Sequence, residues 1–123
     1  MNFSFKKTER LSKKILIKEL FQKGSSFYLY PFKVLLLHHP DITETNQELI
    51  SVSKRNFKKA VDRNKIKRRI REAYRLNRNQ FSTSNNYLIA YLYTSKEVLV
   101  FSEIQDSMIK ILTKTGQLDS QKK

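Results

Sequence analysis

The run Arg63-Asn64-Lys65-Ile66-Lys67-Arg68-Arg69-Ile70-Arg71-Glu72-Ala73-Tyr74-Arg75-Leu76-Asn77-Arg78 governs how the rest of the chain is read. Ile66, Ile70, Ala73 and Asn77 recur at helical spacing and give one narrow core-facing stripe. With Ile66 at zero on a helical wheel, Arg63, Lys67, Arg78, Arg71, Asn64, Arg75 and Arg68 fall between about 60° and 200°. That arc is contiguous and carries six cations. Like charges at i, i+4 weaken an isolated helix by a few tenths of a kcal/mol per pair, and a merely solvated helix gains from interleaved Glu. Here Glu72 alone is interleaved. Arg outnumbers Lys six to two in this run, which favours a bidentate grip on phosphate over simple solubility. The step of ~6 Å per turn along the arc is similar to phosphate spacing along an RNA strand. Asn64 adds an amide able to read a base edge or a 2′-hydroxyl, or to bond the local backbone.

Working outward, residues 54–78 hold 12 basic and two acidic side chains, +10 of a net +14. Residues 1–33 add eight basic and two acidic. A lone cluster of cations is usually a solvated face, but this density with so few acids points to a polyanionic partner. At 123 residues with 39 % hydrophobic and 11 % aromatic content, the chain suits one domain with one core rather than a disordered basic tail. No apolar run approaches the ~18–20 residues of a membrane span, and the N-terminus has no signal-peptide pattern. With no Cys there is neither a disulfide framework nor a thiolate metal site. A cytoplasmic nucleic-acid binder with no membrane partner is expected.

The flanking segments complete an α-β-β-β-α-β-α order. Residues 12–23 read as a helix with Ser12 as N-cap, Ile15, Leu16, Leu20 and Phe21 as its apolar positions, and Gly24 as its stop. Strands are expected over 25–30, 32–38 and 49–53, with a polar connection over 40–48 that includes Glu48. The basic helix opens between Lys58 and Arg63 and ends near Arg78. A loop over 79–86 leads to the strand 87–93, and Ser102-Glu103-Ile104-Gln105 has the pattern of a capping box opening the last helix. One domain over 1–114 is expected, followed by a polar, disordered tail over 115–123. The class is α+β, a two-layer sandwich of helices on a mostly antiparallel sheet.

The segment Phe57-Lys58-Lys59-Ala60-Val61-Asp62-Arg63 and the helix that follows it, to Arg75, resemble the signature of the bacterial ribonuclease P protein family. That signature is Ala-Val-x-Arg-Asn-Arg-x-Lys-Arg-x-x-Arg-Glu on a helix. Ala60, Val61, Arg63, Asn64, Lys67, Arg68, Arg71 and Glu72 match, and Lys65 replaces a third Arg with its charge kept. Arg10-Leu11, Leu20-Phe21 with Gly24, and Ser51-Val52-Ser53-Lys54 also fall in family order. The resemblance implies a left-handed βαβ crossover, in a ribosomal protein S5 domain 2-like fold. It implies a subunit that binds a catalytic RNA through Arg63, Asn64, Lys65, Lys67, Arg68, Arg71 and Arg75. It also implies a cleft for the single-stranded 5′ leader of precursor tRNA, made by Ile17, Phe21, Phe32, Lys33, Leu35, Lys54, Arg63 and Asn64. Ile17 and Leu35 stand where members often carry aromatics. Endonucleolytic removal of the leader is then carried by the RNA with Mg²⁺, while the protein alone is inactive, holds no metal and needs no obligate protein partner.

The residues themselves offer no catalytic set. His38 and His39 are adjacent on a strand and so point to opposite faces, and no third ligand accompanies them. Asp62 and Glu72 read as internal counter-ions. The competing readings are a non-enzymatic ribosomal or general RNA-binding module and, less well supported, a DNA-binding regulator without a helix-turn-helix partner for its basic helix.

Overall fold

A computed structural model of the chain describes residues 11, 13–39, 46–78 and 86–121. Within them the elements are α1 (Lys14–Lys23), β1 (Ser25–Leu29), β2 (Phe32–His38), β3 (Gln47–Val52), α2 (Ala60–Asn77), β4 (Tyr87–Tyr93) and α3 (Phe101–Gln121). The strands form one mixed sheet in the order β1-β2-β4-β3, with β1–β2 and β2–β4 antiparallel and β3–β4 parallel. The element order is the expected one. Arg10, Ser12, most of the 40–48 connection and most of the 79–86 loop lie outside the described residues.

Period-two alternation divides the sheet into two unlike faces. Phe32, Val34 and Leu36 of β2, with Tyr87, Ile89, Tyr91 and Tyr93 of β4, pack against Ile66, Ile70, Ala73 and Tyr74 of α2 and Ile104, Met108, Ile111 and Leu112 of α3. On the opposite face, Leu16 and Leu20 of α1 pack with Leu11 onto Leu35, Leu88 and Ala90. The two-layer expectation is therefore corrected: helices cover both faces. The second cover is the ten-residue α1 alone. A helix of ten residues spans only ~15 Å, so part of this face stays open.

Three further expectations change for local reasons. The last helix starts at Phe101, one residue before the capping-box Ser102, and runs to Gln121, through most of the segment expected to be a disordered tail. Thr115 and Asp119 are buried despite their polarity, because each is satisfied. The Thr115 hydroxyl donates to the Ile111 carbonyl at 2.9 Å, and the Tyr87 hydroxyl donates to the Asp119 carboxylate at 2.6 Å. Glu48, expected in a polar connection, lies in β3 and is buried. Gly24 does end α1, but in extended backbone with φ −68° and ψ 149°. Its requirement is space, since a Cβ there would stand 2.5 Å from the Leu20 carbonyl oxygen.

The core carries an alkaline liability. Tyr91 is fully buried, and its hydroxyl is pushed well above the ordinary value of 10.0, first by burial and then by the Glu48 carboxylate. In the unfolded chain this hydroxyl deprotonates near pH ~10 while the folded protein keeps its proton. The unfolded state then binds fewer protons, so stability is fully present below pH ~10 and falls above it, by up to ~1.4 kcal/mol per pH unit for one such group. Urea unfolding between pH 8 and 11 should show this loss, and Tyr91→Phe should flatten it. A residual slope is expected from Tyr93, whose hydroxyl is also raised by burial.

Candidate nucleic-acid interface

Helix α2 is built without a side-chain N-cap, as Lys59 at that position forms no cap bond. Two other devices open the helix. Asp62 lies in the first turn, where a carboxylate is favoured by the helix dipole. Arg63 folds back, its Nη1 donating to the carbonyls of Phe57 at 2.7 Å and Lys58 at 3.1 Å. The buried Phe57 ring packs 6.0 Å from that of Tyr93, so this turn is tied to the end of β4. At the other end Asn77 donates to the Ala73 carbonyl at 2.7 Å and to Gln105 of α3 at 3.1 Å.

These attachments sort the cations by role. Arg63 is half-buried and holds the turn. Arg69 donates to the Leu99 carbonyl at 2.6 Å, tying α2 to the segment before α3. Arg75 makes a two-pronged pair with Glu72, and the Arg78 guanidinium lies 5.9 Å above the Tyr74 ring. Asn64, Lys65, Arg68 and Arg71 point outward and are exposed, with Lys67 half-buried at their flank. None of Lys65, Lys67, Arg68 and Arg71 pairs with a carboxylate among the described residues. The predicted face therefore exists, with Arg63 and Arg75 committed to internal contacts as well.

The direction of α1 decides where the residues of the second predicted site lie. Glu19 meets His39, just past the end of β2, at 2.8 Å. On the helix, Glu19 and the pair Ile17/Phe21 flank the buried Leu16/Leu20 stripe on opposite sides. Ile17 and Phe21 thus border the sheet toward the start of β2, where Lys33 is exposed. One row crosses the sheet there, Tyr28–Lys33–Leu92–Ser51. Lys54, also exposed, leaves β3 two residues past Val52 at this same end. Ile17, Phe21 and Lys33 are accordingly brought to one side of the sheet, with Lys54 at the same end.

Phe32 is not. It is 0 % exposed and packs on the opposite face against Tyr91 and Tyr93, because adjacent strand residues point to opposite sides. Leu35 faces α1 but is 7 % exposed and packed beneath it, so it is not open to a ligand. Tyr28 was missed by the sequence reading. Alternation along β1 pairs it with Ser26, and the register of β1 on β2 then puts the ring on the same face as Lys33.

An α+β domain that turns an arginine-rich, unneutralised helix face to solvent is of the class that binds a polyanion. Comparison with known proteins narrows the class. The family model Ribonuclease P matches residues 5–116. The ribonuclease P protein component of Porphyromonas gingivalis is 34 % identical over 119 residues, covering 89 % of this chain and 85 % of that protein. That of Desulforapulum autotrophicum is 35 % identical over 119 residues, covering 96 % and 97 %. Among solved structures, the Staphylococcus aureus RNase P protein superposes with a TM-score of 0.70 at 27 % identity, over 87 % of this chain and 94 % of that one. The RNase P protein from Thermotoga maritima shares the fold, with a TM-score of 0.70 at 24 % identity over 86 % and 96 %. The chain belongs to the ribonuclease P protein component family, and so to a ribonucleoprotein of tRNA processing. Among the described residues, no helix is long and apolar enough to cross a membrane.

The sorting of arginines has a measurable consequence. Arg63→Gln should cost ~1–3 kcal/mol of stability in urea unfolding, since it removes charge-assisted bonds to two carbonyls. Arg68→Gln, at a position with no internal partner, should stay within ~0.5 kcal/mol of the parent.

Proposed function

We propose that this chain binds the ribonuclease P RNA through the outward face of α2, and the 5′ leader of precursor tRNA in the cleft between α1 and the sheet. The RNA cleaves, and the protein positions substrate in the cytoplasm. The observation that carries the reading is the exposed set Asn64, Lys65, Arg68 and Arg71, whose cations pair with no carboxylate of the described residues. Such a set gains free energy when it displaces condensed counterions from phosphates. Arg63 and Asn64, at the start of α2, follow the turn where Phe57 packs on Tyr93 at the end of β4, so both RNA elements can be held at one end of the domain. In keeping with the family resemblance, the β3–α2–β4 crossover is proposed to be left-handed, in the ribosomal protein S5 domain 2-like class.

Mg²⁺ is proposed to serve at the RNA. Among the described residues no three His, Asp or Glu side chains form a group that could hold a metal. The interface is made of cations and an amide, which do not fit a Mg²⁺ site. No protein step is derived through the ion.

The protein alone should not cleave precursor tRNA. Reconstituted with its RNA, it should lower the Mg²⁺ needed for 5′ maturation and favour leader-bearing over mature tRNA; absence of both effects would end this reading. Replacing Arg68 and Arg71 together by Gln should weaken RNA binding and reduce the slope of log K against log salt by roughly 1.5 to 2. Titrations from low to high salt measure that slope.

A further inference from the structure

We infer that Tyr28 is a stacking platform for one base of single-stranded RNA, with Lys33 beside it for the adjoining phosphate. The inference rests on the leader-cleft reading above and extends that cleft onto the edge strand β1. The observations are independent of the family pattern. Tyr28 lies directly across from Lys33 in the β1–β2 register. Side chains so paired stand about 4.5–5.5 Å apart at Cβ, the separation at which a ring and a cation can serve one nucleotide. Tyr28 is 59 % exposed, an unusual outlay of apolar surface for a small domain.

The ring is also held in place. Its hydroxyl shares a 3.2 Å hydrogen bond with the Thr94 hydroxyl, and Thr94 is in turn fixed to the Pro31 carbonyl by its amide at 2.7 Å and its Oγ1 at 2.9 Å. One edge of the ring is thus anchored while the rest stays open, so little side-chain entropy remains to be lost on stacking. Phe21, 51 % exposed on the flank of α1 that faces this row, supplies a second aromatic. Leu92, the next residue of the row, gives an apolar floor between them and the other edge of the sheet.

Leu35 is covered by α1 and pairs with Ser26. Tyr28 stands two residues further along β1, diagonal to Leu35 and on the same face. A leader that stacks on Phe21 can therefore continue toward β1 instead of over the middle of the sheet. The chemistry is that of a base face and a phosphate, which is tolerant of base identity.

The test uses the reconstituted holoenzyme with precursor tRNAs that carry 2-aminopurine at successive leader positions, and mature tRNA as reference. Parent, Tyr28→Ala, Tyr28→Phe and Lys33→Gln proteins are compared, with melting curves to verify folding. Tyr28→Ala should cut the leader-dependent affinity gain about five-fold or more and relieve fluorescence quenching at one leader position. Tyr28→Phe should retain both, and Lys33→Gln should lower the salt slope by about 0.7. If the parent shows no gain from the leader, the cleft reading itself fails. If the parent gains but Tyr28→Ala gains equally, the platform is excluded and the cleft stands. Equal loss in Tyr28→Ala and Tyr28→Phe would assign the effect to the bond with Thr94, and would overturn stacking.

Discussion

The guanidinium of Arg63 against the carbonyls of Phe57 and Lys58, and that of Arg69 against Leu99, decide what α2 can be. A helix with eight cations in residues 63–78 repels itself, and each like-charged i, i+4 pair costs a few tenths of a kcal/mol. Burial of Ile66, Ile70 and Tyr74 is worth roughly 1.5–3 kcal/mol per side chain and outweighs that cost. Packing alone would not set where the remaining charge points. Arg69 does, because its acceptor Leu99 belongs to the segment before α3, while Arg63 holds the turn that enters the helix. Rotation of α2 about its axis would break the Arg69 contact. Exposure of the outer face thus follows from how the inner side of the helix is bonded.

Much of this was legible in the sequence, for physical reasons. The strands at 32–38 and 87–93 and the helix α2 combine strong hydrophobic patterning with clear boundaries, and they stand where the pattern puts them. Helix α2 was legible also in its orientation, because its apolar stripe and cationic arc occupy separate parts of one wheel. Misplacement of Phe32 came from reading neighbours in sequence as neighbours in space. Lys33 lies on the α1 face, so by the pleat Phe32 had to lie on the other. Tyr28 needed the register of β1 on β2, which no local pattern supplies.

The C-terminal helix and Glu48 show a different limit. Thr115 and Asp119 look like solvent-facing residues, and a polar run after Leu112 reads as an end. The burial of Asp119 depends on the Tyr87 hydroxyl, a partner that becomes visible only once β4 lies under α3, and that of Thr115 on a carbonyl one turn back in the same helix. Polarity in a sequence indicates exposure only where no internal partner is available. The same principle runs in reverse on α2, where abundant charge and a single interleaved acid correctly indicated an outward face.

The unequal cover of the sheet is what gives the domain two RNA-facing surfaces in the proposed reading. One face is filled by α2 and α3 and closed by large side chains; the other has only α1, which crosses it and leaves the Tyr28–Lys33–Leu92–Ser51 row beside it. A rigid helix that presents exposed guanidiniums suits phosphates whose positions are set by a folded RNA. An open sheet face with aromatics suits a strand whose bases are unpaired and turned outward. Among the described residues neither surface displays a constellation that reads base edges beyond Asn64, and phosphate and stacking contacts carry little sequence information. On the proposed reading, such a subunit would accept leaders of differing sequence while still telling a leader from its absence, a discrimination that requires only a backbone and a few π faces.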